Sequence, residues 1–240
     1  MDENILPISI LPADMINCFL IKGKKGHILV DTGLPNSAHK ILDQLKERGI
    51  DKGDIQLIIV THCHVDHFGS AGKLKKMLKV PVLAHQLDEA FYLSGQANQA
   101  TLKPNLWTWN AFRWLIKDMK TYSLQPDILL KNQEEYDLNQ WGIAGKVIHT
   151  PGHTPGSLSV VLENGNAIIM DMVASGILIG GVMWYSRVKY PPFHDNLKDL
   201  KGSFEKLLSE NCEHFYLGHG KPITRNQLVK FYDRKFKKVR

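Results

Sequence analysis

Three histidines and one aspartate lie close together between His62 and His67, and their types and spacing suit metal binding. His62 and His64 are two residues apart, so in an extended segment both side chains project to the same side. Asp66 and His67 follow at the next bend and can point to a neighbouring position. Imidazole nitrogens and carboxylate oxygens are ligands that zinc prefers. The stretch therefore predicts a strand end that serves two metal ions.

The chain on either side of this stretch predicts a buried strand before it and a helix after it. Residues 55–60 form a short apolar run rich in β-branched residues, which is typical of a strand buried on both faces. Farther along the chain, Leu74, Met77 and Leu78 recur at helical spacing. The alternative interpretation is a polar loop that is rich in histidine by chance.

Four other predicted strands also end in a histidine or an aspartate, with glycine or proline shaping the turn that follows. The residues at these strand ends are Asp31, His149 with His153, Asp171, and His219. A chance polar loop gives no reason for the same arrangement to recur along the chain. The stretches together therefore favour a metal site over the chance loop.

As a set, these stretches resemble the metallo-β-lactamase superfamily, in the broad hydrolase branch that includes glyoxalase II thioesterases and quorum-quenching lactonases. The resemblance extends from Asp31 to His219, nearly the whole chain, in the order found in the family. It implies an α/β fold of four layers, an αββα sandwich in which two sheets pack face to face with helices outside. We expect one domain over residues 1–240, with an aromatic helical insertion around residues 95–125.

The resemblance also implies a set of metal ligands and their roles. The first metal would be held by His62, His64 and His153, the second by Asp66, His67 and His219, and both by Asp171 as the bridge. Asp31 matches an aspartate that steadies a metal-binding histidine and so fixes the orientation of the ring. Met170 departs from the family pattern, which usually has glycine before the bridging aspartate.

A site of this kind implies a hydrolase with two metal ions per chain, zinc by default, with iron or manganese as alternatives. Two ions roughly 3.5–4 Å apart hold a bridging hydroxide that can attack an ester, thioester or lactone carbonyl at neutral pH. Asp66 is placed to orient that hydroxide and to pass its proton to the leaving group, so it is the expected catalytic residue. The sequence contains no G-x-S-x-G motif, so a serine nucleophile has no support.

Two other functions on the same scaffold remain open at this point. A phosphodiesterase or nuclease would need a basic pocket, whereas the basic residues concentrate in residues 230–240, six of them against one aspartate. That run is more typical of a solvated terminal helix than of a nucleic-acid site. An iron-dependent oxidoreductase would need oxygen or a thiol co-substrate. We expect a small-molecule substrate and no nucleic-acid partner.

The composition is that of an ordinary globular protein of 240 residues, with 43% hydrophobic and 22% charged residues. No apolar run approaches the length of a membrane span, so no stable membrane insertion is expected. The N-terminus lacks the basic and apolar regions of a signal peptide. Three widely spaced cysteines argue against a disulfide framework and favour a reducing compartment, so we expect a cytoplasmic protein.

The apolar segment from Leu106 to Met119 is not needed by the core of the family. It predicts a helix with two adjacent apolar stripes, one made of Trp109, Phe112, Ile116 and Met119, the other of Trp107, Ala111, Trp114 and Leu115. Such a helix either caps the core, or packs one stripe down and uses the other to wall an apolar pocket over the metals, suited to an acyl group, or to meet a second subunit in a homodimer. Further candidates for lining the pocket are Tyr185, Tyr190 and His194.

Overall fold

Two six-stranded β-sheets form the centre of the protein, which we describe from a computed structural model over residues 4–96, 101–107 and 110–237. In order across the first sheet, the strands are β1 (Ile5–Leu11), β2 (Ile16–Lys22), β3 (His27–Val30), β4 (Ile55–Ile59), β5 (Val82–His85) and β6 (Ile128–Leu130). The first three are antiparallel neighbours, and β3 to β6 are parallel. Four of the five residues of β4 are buried, as an interior parallel strand requires. The strand predicted before the metal-binding stretch is therefore confirmed.

The second sheet is mostly antiparallel and is built from the later half of the chain. Its strands are β7 (Tyr136–Asp137), β8 (Gly145–His149), β9 (Leu158–Leu162), β10 (Asn166–Ile168), β13 (His214–Tyr216) and β14 (Ile223–Thr224). A separate ribbon pairs β11 (Ala174–Ser175) with β12 (Val188–Lys189). Residues 176–187 connect these two short strands, and the connection returns on itself at a bridge between Ile177 and Val182.

Helices cover the outer face of each sheet and complete four layers. They are α1 (Ala38–Lys46), α2 (Val65–Phe68), α3 (Ala71–Leu78), α4 (Glu89–Ser94), α5 (Asn110–Ile116), α6 (Leu197–Ser209) and α7 (Arg225–Tyr232). Alternate residues of β2 point to opposite faces, so Phe19 packs between the sheets against Tyr216, while Leu20 packs beneath the helices. On the far side, Phe204 of α6 and Leu228 of α7 pack against the second sheet. The arrangement confirms the predicted αββα sandwich.

The helix in the aromatic segment is shorter than the sequence indicated. α5 covers seven residues, Asn110–Ile116, whereas the apolar run predicted a helix from Leu106 to Met119. Before α5, and before the predicted start of the helix, the backbone of Pro104 pairs with Phe193. Outside the described residues lie Trp109 and the side chains of Ala111, Phe112 and Leu115.

The three cysteines, Cys18, Cys63 and Cys212, are buried and unbridged, in agreement with the expected absence of a disulfide framework. Cys63 lies between two predicted ligands but packs in the core, as the alternation of side chains along an extended segment predicts. Across the described parts of the chain, no helix is both long enough and apolar enough to cross a bilayer.

Candidate metal centre

The side chains that the sequence singled out come together at one rim of the sandwich, where strands of both sheets end. The first sheet contributes residues directly after β4, and the second sheet contributes the turns after β8, β10 and β13. Two clusters result, each with its ligand atoms within 4.8 Å of one another: a first cluster of His62, His64 and His153, and a second of Asp66, His67 and His219. A further overlapping group contains Asp31, His62 and His67.

Three imidazole rings converge in the first cluster. Nε2 of His153 lies 2.9 Å from Nδ1 of His64 and 3.2 Å from Nε2 of His62. Tetrahedral coordination at zinc–nitrogen distances of about 2.0–2.1 Å separates ligand nitrogens by roughly 3.3 Å. The three nitrogens therefore have the spacing expected for ligands of one ion.

The outer nitrogen of each ring in the first cluster contacts the protein, and this contact fixes how the inner nitrogen points. Nε2 of His64 lies 3.0 Å from the hydroxyl of Thr101. Nδ1 of His153 donates to the backbone oxygen of Phe193 at 3.0 Å. The ring of His62 is held in the same way by the hydroxyl of the residue before it, at 3.1 Å. Contacts of this kind set the tautomer and orientation of metal-binding histidines.

The second cluster combines a carboxylate with two histidines. Nε2 of His219 lies 3.4 Å from Oδ2 of Asp66, and Nε2 of His67 lies 3.9 Å from the same oxygen. Nδ1 of His67 donates to Oδ2 of Asp31 at 2.7 Å, so Asp31 orients this ring in the way the resemblance implies. Nδ1 of His219 donates to the backbone oxygen of Met15. Nε2 of His67 is buried and has no hydrogen-bond partner among the described residues, which suits a nitrogen that binds a cation.

Asp171 lies between the two clusters. Its Oδ2 is 3.1 Å from Nε2 of His219 and 3.5 Å from Nε2 of His153. Its Oδ1 is 3.4 Å from Nε2 of His67 and, although buried, accepts no hydrogen bond within the described chain. A cation at this point would remove the cost of burying that oxygen without a donor. Gly218 leaves the space for this approach, because a Cβ there would overlap Asp171 and crowd His67.

Met170, the residue before the proposed bridge, has a left-handed backbone conformation. Its φ is +40°, in the left-handed region that glycine adopts without strain. Its side chain is 1% exposed and packs between the two sheets, and this burial offsets part of the strain. The residue at this position is therefore not glycine, but its backbone has a conformation that glycine would adopt without strain.

Burial keeps the histidines of the first cluster uncharged. Burial, followed by the neighbouring ring of His67, holds the pKa of His62 well below its usual range. Burial likewise lowers the pKa of His64 to about 4. Burial, followed by the ring of His64, holds the pKa of His153 well below its usual range. A neutral imidazole carries the lone pair that a metal ion needs, so this cluster is ready to bind one.

In the second cluster, the carboxylates raise the pKa of the histidines by more than burial lowers it. Burial alone lowers the pKa of His219, but Asp171 and Asp66 raise it to about 10. Burial opposes the charge on His67 as well, and Asp171, Asp66 and Asp31 together raise its pKa well above the usual value. Against burial, the two histidines hold the pKa of Asp171 and of Asp66 below the usual range. A divalent cation competes with protons for such a cluster, since it binds the same atoms.

One buried carboxylate beside the site was not identified from the sequence. Asp88 accepts hydrogen bonds from the backbone N–H of Cys63 at 3.0 Å, the hydroxyl of Thr154 at 2.7 Å and the backbone N–H of Gly156 at 3.0 Å. It thus joins the metal-binding stretch to the turn that carries His153. Burial raises the pKa of Asp88, and its hydrogen bonds, that of Thr154 first, oppose the rise. An aspartate before a short helix is a common cap, so no sequence pattern distinguishes it.

A cavity of about 190 Å³, which we call the metal cavity, opens beside the two clusters. Among the described residues, its polar lining side chains all belong to the predicted ligands: His64, Asp66, His153, Asp171 and His219. The remaining lining residues are apolar: Leu11, Ile16, Leu34, Val65, Leu102, Ile116, Met119, Ile179, Pro192 and Phe193. The metal centre therefore faces an apolar chamber.

The two predicted stripes of the aromatic segment face different ways where the structure describes them. Ile116 and Met119 line the metal cavity. Trp107 and Trp114 are 82% and 70% exposed. The other pocket candidates do not line the metal cavity: Tyr190 and His194 line a separate groove, and Tyr185 lies under the ammonium group of Lys221.

Known proteins share this sequence pattern. The sequence profile of the metallo-beta-lactamase superfamily matches residues 11–219. A protein of Methanocaldococcus jannaschii named a probable metallo-hydrolase is 29% identical over 210 residues, covering 85% of this chain and 87% of that protein. An N-acyl homoserine lactonase of a Bacillus species is 25% identical, covering 68% of this chain and 66% of that protein. A hydroxyacylglutathione hydrolase of Haemophilus influenzae is 26% identical, with coverages of 87% and 82%.

Solved structures share the fold. The crystal structure of an archaeal protein of the same superfamily, from Sulfolobus tokodaii, superposes with a TM-score of 0.68. The match covers 98% of this chain and 86% of that chain at 20% sequence identity. At that identity the likeness concerns the fold alone.

Proposed function

The chain belongs to the metallo-β-lactamase superfamily, and we propose that this metal-dependent hydrolase cleaves an ester, thioester or lactone with an apolar acyl portion. Two relatives are named for hydrolysis of an N-acyl homoserine lactone and of a hydroxyacylglutathione, and both names describe acyl substrates. The observation that carries the proposal is the metal cavity, in which the predicted ligands are combined with apolar walls within the described chain.

We propose two metal ions per chain, zinc by default, held by the ligand set that the resemblance implies. The convergence of imidazole nitrogens in the first cluster supports one ion. The buried atoms without hydrogen-bond partners, Nε2 of His67 and Oδ1 of Asp171, support a second ion with Asp171 between the two. When bound, two such ions supply Lewis-acid activation of a water molecule and of the substrate carbonyl near neutral pH.

The protein's own residues then bind the substrate and move the proton. Apolar side chains such as Leu102 and Ile116 hold the acyl group and exclude water, which strengthens every electrostatic interaction inside the cavity. Asp66 lines the cavity and its side chain is 24% exposed, so its carboxylate can reach both the attacking water and the leaving atom. It would accept the proton of the water at Oδ and deliver it to the oxygen or sulfur that leaves.

Other observations bear on the competing functions and on the partners. Neither lysine nor arginine lines the metal cavity in the described residues, which disfavours a phosphodiester as the group beside the metals.

The exposed indoles of Trp107 and Trp114 support a homodimer contact through the outer face of α5. The buried, unbridged cysteines fit a reducing compartment, so we propose a cytoplasmic site of action.

A substrate panel with the zinc-loaded enzyme tests the proposed function. We expect lactones or thioesters with apolar acyl groups to be hydrolysed without any organic cofactor, and a chelator to abolish that activity. Asp66→Asn should lower kcat by about 10²–10⁴-fold, as loss of a general acid–base does, with a smaller change in KM. A preference for phosphodiesters, or a requirement for oxygen or a thiol co-substrate, would contradict the proposal.

A further inference from the structure

A second cavity beside the metal cavity is larger and cationic. It has a volume of about 1090 Å³, and four basic residues line it: Arg187, Lys189, Arg234 and Lys235. Within the described chain, no carboxylate lines this cavity and none of the four basic side chains forms a salt bridge. We call it the cationic groove. Positive charges gathered without counter-charges attract an anion.

Lys189 is the most confined of these cations. Its side chain is half-buried, and its ammonium group donates to the backbone oxygen of Leu178. Burial first, and then the nearby guanidinium of Arg187, lowers the pKa of Lys189 to about 8. An anion bound between Lys189 and Arg187 would relieve both effects, because it replaces lost solvation and separates like charges.

The basic C-terminal run contributes the other two cations. The sequence predicted a solvated terminal helix there; Arg234 and Lys235 are exposed, and both also line the groove. Arg234 donates to the backbone oxygen of Val188 at 3.0 Å, and the ammonium group of Lys235 lies 5.2 Å from the centre of the Tyr190 ring. These contacts orient the cations along the groove and leave further donors of the guanidinium and ammonium groups for a ligand.

The groove and the metal cavity lie on opposite sides of one wall. Ile179 lines the metal cavity, and its neighbour Leu178 lines the groove. Phe193 and its neighbour His194 divide in the same way. Pro104 also lines the groove, and its backbone pairs with Phe193 across the wall. A ligand with its reactive bond at the metals would reach the cations through an arm that passes over the residues between the two cavities.

We infer that the cationic groove binds the phosphate-bearing end of a thioester whose acyl end lies in the metal cavity. The inference rests on the proposed hydrolytic function. A phosphate next to the reacting bond would lie in the metal cavity, which no lysine or arginine among the described residues lines. A pantetheine-type thiol instead places a neutral arm between its sulfur and its phosphate. Hydrolysis adds water to the acyl carbon and breaks the C–S bond; the products are the carboxylic acid and the thiol, whose sulfur takes the proton.

The test compares two thioesters that share an acyl group and differ in phosphate. Octanoyl-coenzyme A and octanoyl-N-acetylcysteamine are assayed with the wild-type enzyme, Arg187→Ala/Lys189→Ala, and Lys235→Glu. The control is Lys22→Ala/Lys46→Ala. It removes two exposed lysines, at the ends of β2 and α1, that do not line the groove, and it changes the net charge as much as the Arg187→Ala/Lys189→Ala variant does. We expect the ratio of kcat/KM for the phosphate-bearing to the phosphate-free thioester to fall at least about tenfold in the groove variants only.

Arg187→Ala/Lys189→Ala could change folding as well as binding, because Lys189 donates to a backbone oxygen. Lys235→Glu controls for this, because Lys235 is exposed. Metal content and thermal unfolding are measured for each variant. An unchanged ratio in both groove variants would overturn the inference while leaving the proposed hydrolase intact. If the groove variants lose binding to vesicles of anionic phospholipid while the ratio of kcat/KM for the two thioesters is unchanged, the inference is overturned in favour of a membrane contact.

Direct binding separates this inference from the proposed function. Free coenzyme A is titrated into the wild-type enzyme and the groove variants by calorimetry, which needs no turnover. Binding that weakens at least about tenfold in Arg187→Ala/Lys189→Ala supports the groove even if neither thioester is hydrolysed. Absence of binding to the wild-type enzyme overturns the inference even if N-acetylcysteamine thioesters are good substrates.

Discussion

The metal centre and the surface that faces it across the metal cavity are stabilised by different kinds of contact. In the metal centre, the ligands follow strand ends, and their outer atoms contact fixed groups such as the hydroxyl of Thr101 and the carboxylate of Asp31. The facing surface includes Ile116 of the seven-residue α5 and Ile179 of the connection 176–187. In that connection Leu178, Met183 and Trp184 are 57–63% exposed.

This difference indicates that reaction chemistry and substrate choice are separable in this protein. A buried site with anchored ligands has few alternative arrangements, so its geometry is maintained. On the facing surface, Ile116 and Ile179 are only partly buried, so they can change at less cost to the fold than the buried ligands. Four substitutions test the contrast, from the largest expected effect to the smallest.

Asp171→Ala removes the carboxylate that lies between the two clusters. We expect it to weaken both ions and to lower kcat/KM by about 10³-fold or more, because bridged metals contribute several kcal/mol to transition-state stabilisation. Elemental analysis of the folded variant, together with kcat/KM, measures the effect. Retention of two tightly bound ions would show that Asp171 is not a bridge, and the contrast between the two regions would lose its basis.

Asp31→Asn tests whether anchoring from behind the ligands matters as much as the contrast requires. Asp31 has φ +60°, which asparagine tolerates, so the backbone should be retained. We expect metal affinity to fall about 10–100-fold, as is usual when a partner of a metal-binding histidine is lost. Metal titration with a competing chelator measures the change.

Asp88→Asn is the matched control for this change. Asp88 is as buried as Asp31 and accepts three hydrogen bonds, none of which comes from a histidine ring. We expect both variants to unfold at lower temperature and only Asp31→Asn to show the full loss of metal affinity. Equal losses in the two variants would mean that general rigidity, and not the orientation of His67, controls binding.

Ile116→Ala probes the facing surface. Removing a lining side chain enlarges the metal cavity, so we expect kcat/KM to shift by about tenfold in favour of longer acyl chains, with metal content unchanged. Trp114→Ala removes an exposed side chain from the same helix and serves as its control. Activity across a series of acyl lengths and the oligomeric mass are measured for both. If chain-length preference is the same in all three proteins, α5 does not select the substrate.

The smallest effect concerns a part of the rim that resembles the metal centre but lies outside it. The rings of His85 and His149 are buried and stacked with centroids 3.9 Å apart, joining β5 of one sheet to β8 of the other. Burial, and then His149, lowers the pKa of His85 to about 4, and burial lowers that of His149. Since the usual value is about 6.5, the unfolded chain binds more protons than the folded chain between these pH values.

The stability of the folded protein should therefore fall as the pH is lowered from about 6.5 to about 4, by at most about 1.4 kcal/mol per pH unit for each proton. Denaturant unfolding at several pH values measures the slope. His85→Gln should reduce it, and His39→Gln, at an exposed position of α1, is the control. A slope that His85→Gln leaves unchanged would show that the stacked pair does not contribute.

The sequence by itself determined the layers and the candidate ligands. β-branched runs that end in histidine or aspartate identify strands whose ends carry chemistry, and this signal is local, so no distant contact is needed to detect it. The same locality explains β4 and the helix α3, which the spacing of Leu74, Met77 and Leu78 predicted. The motif order was specific enough for the resemblance to predict the αββα sandwich that the structure shows.

Tertiary structure alone decided the partners that hold the site and the surface that faces it. Asp88, Thr101 and the backbone oxygen of Phe193 contact the metal-binding stretch or its ligands from far along the chain. The pairing of Pro104 with Phe193 brings residues that line the two cavities together. Arg234 and Lys235 became part of a groove because the end of the chain packs beside β12. Such contacts join residues that periodicity and composition treat as unrelated, because they depend on how finished elements pack.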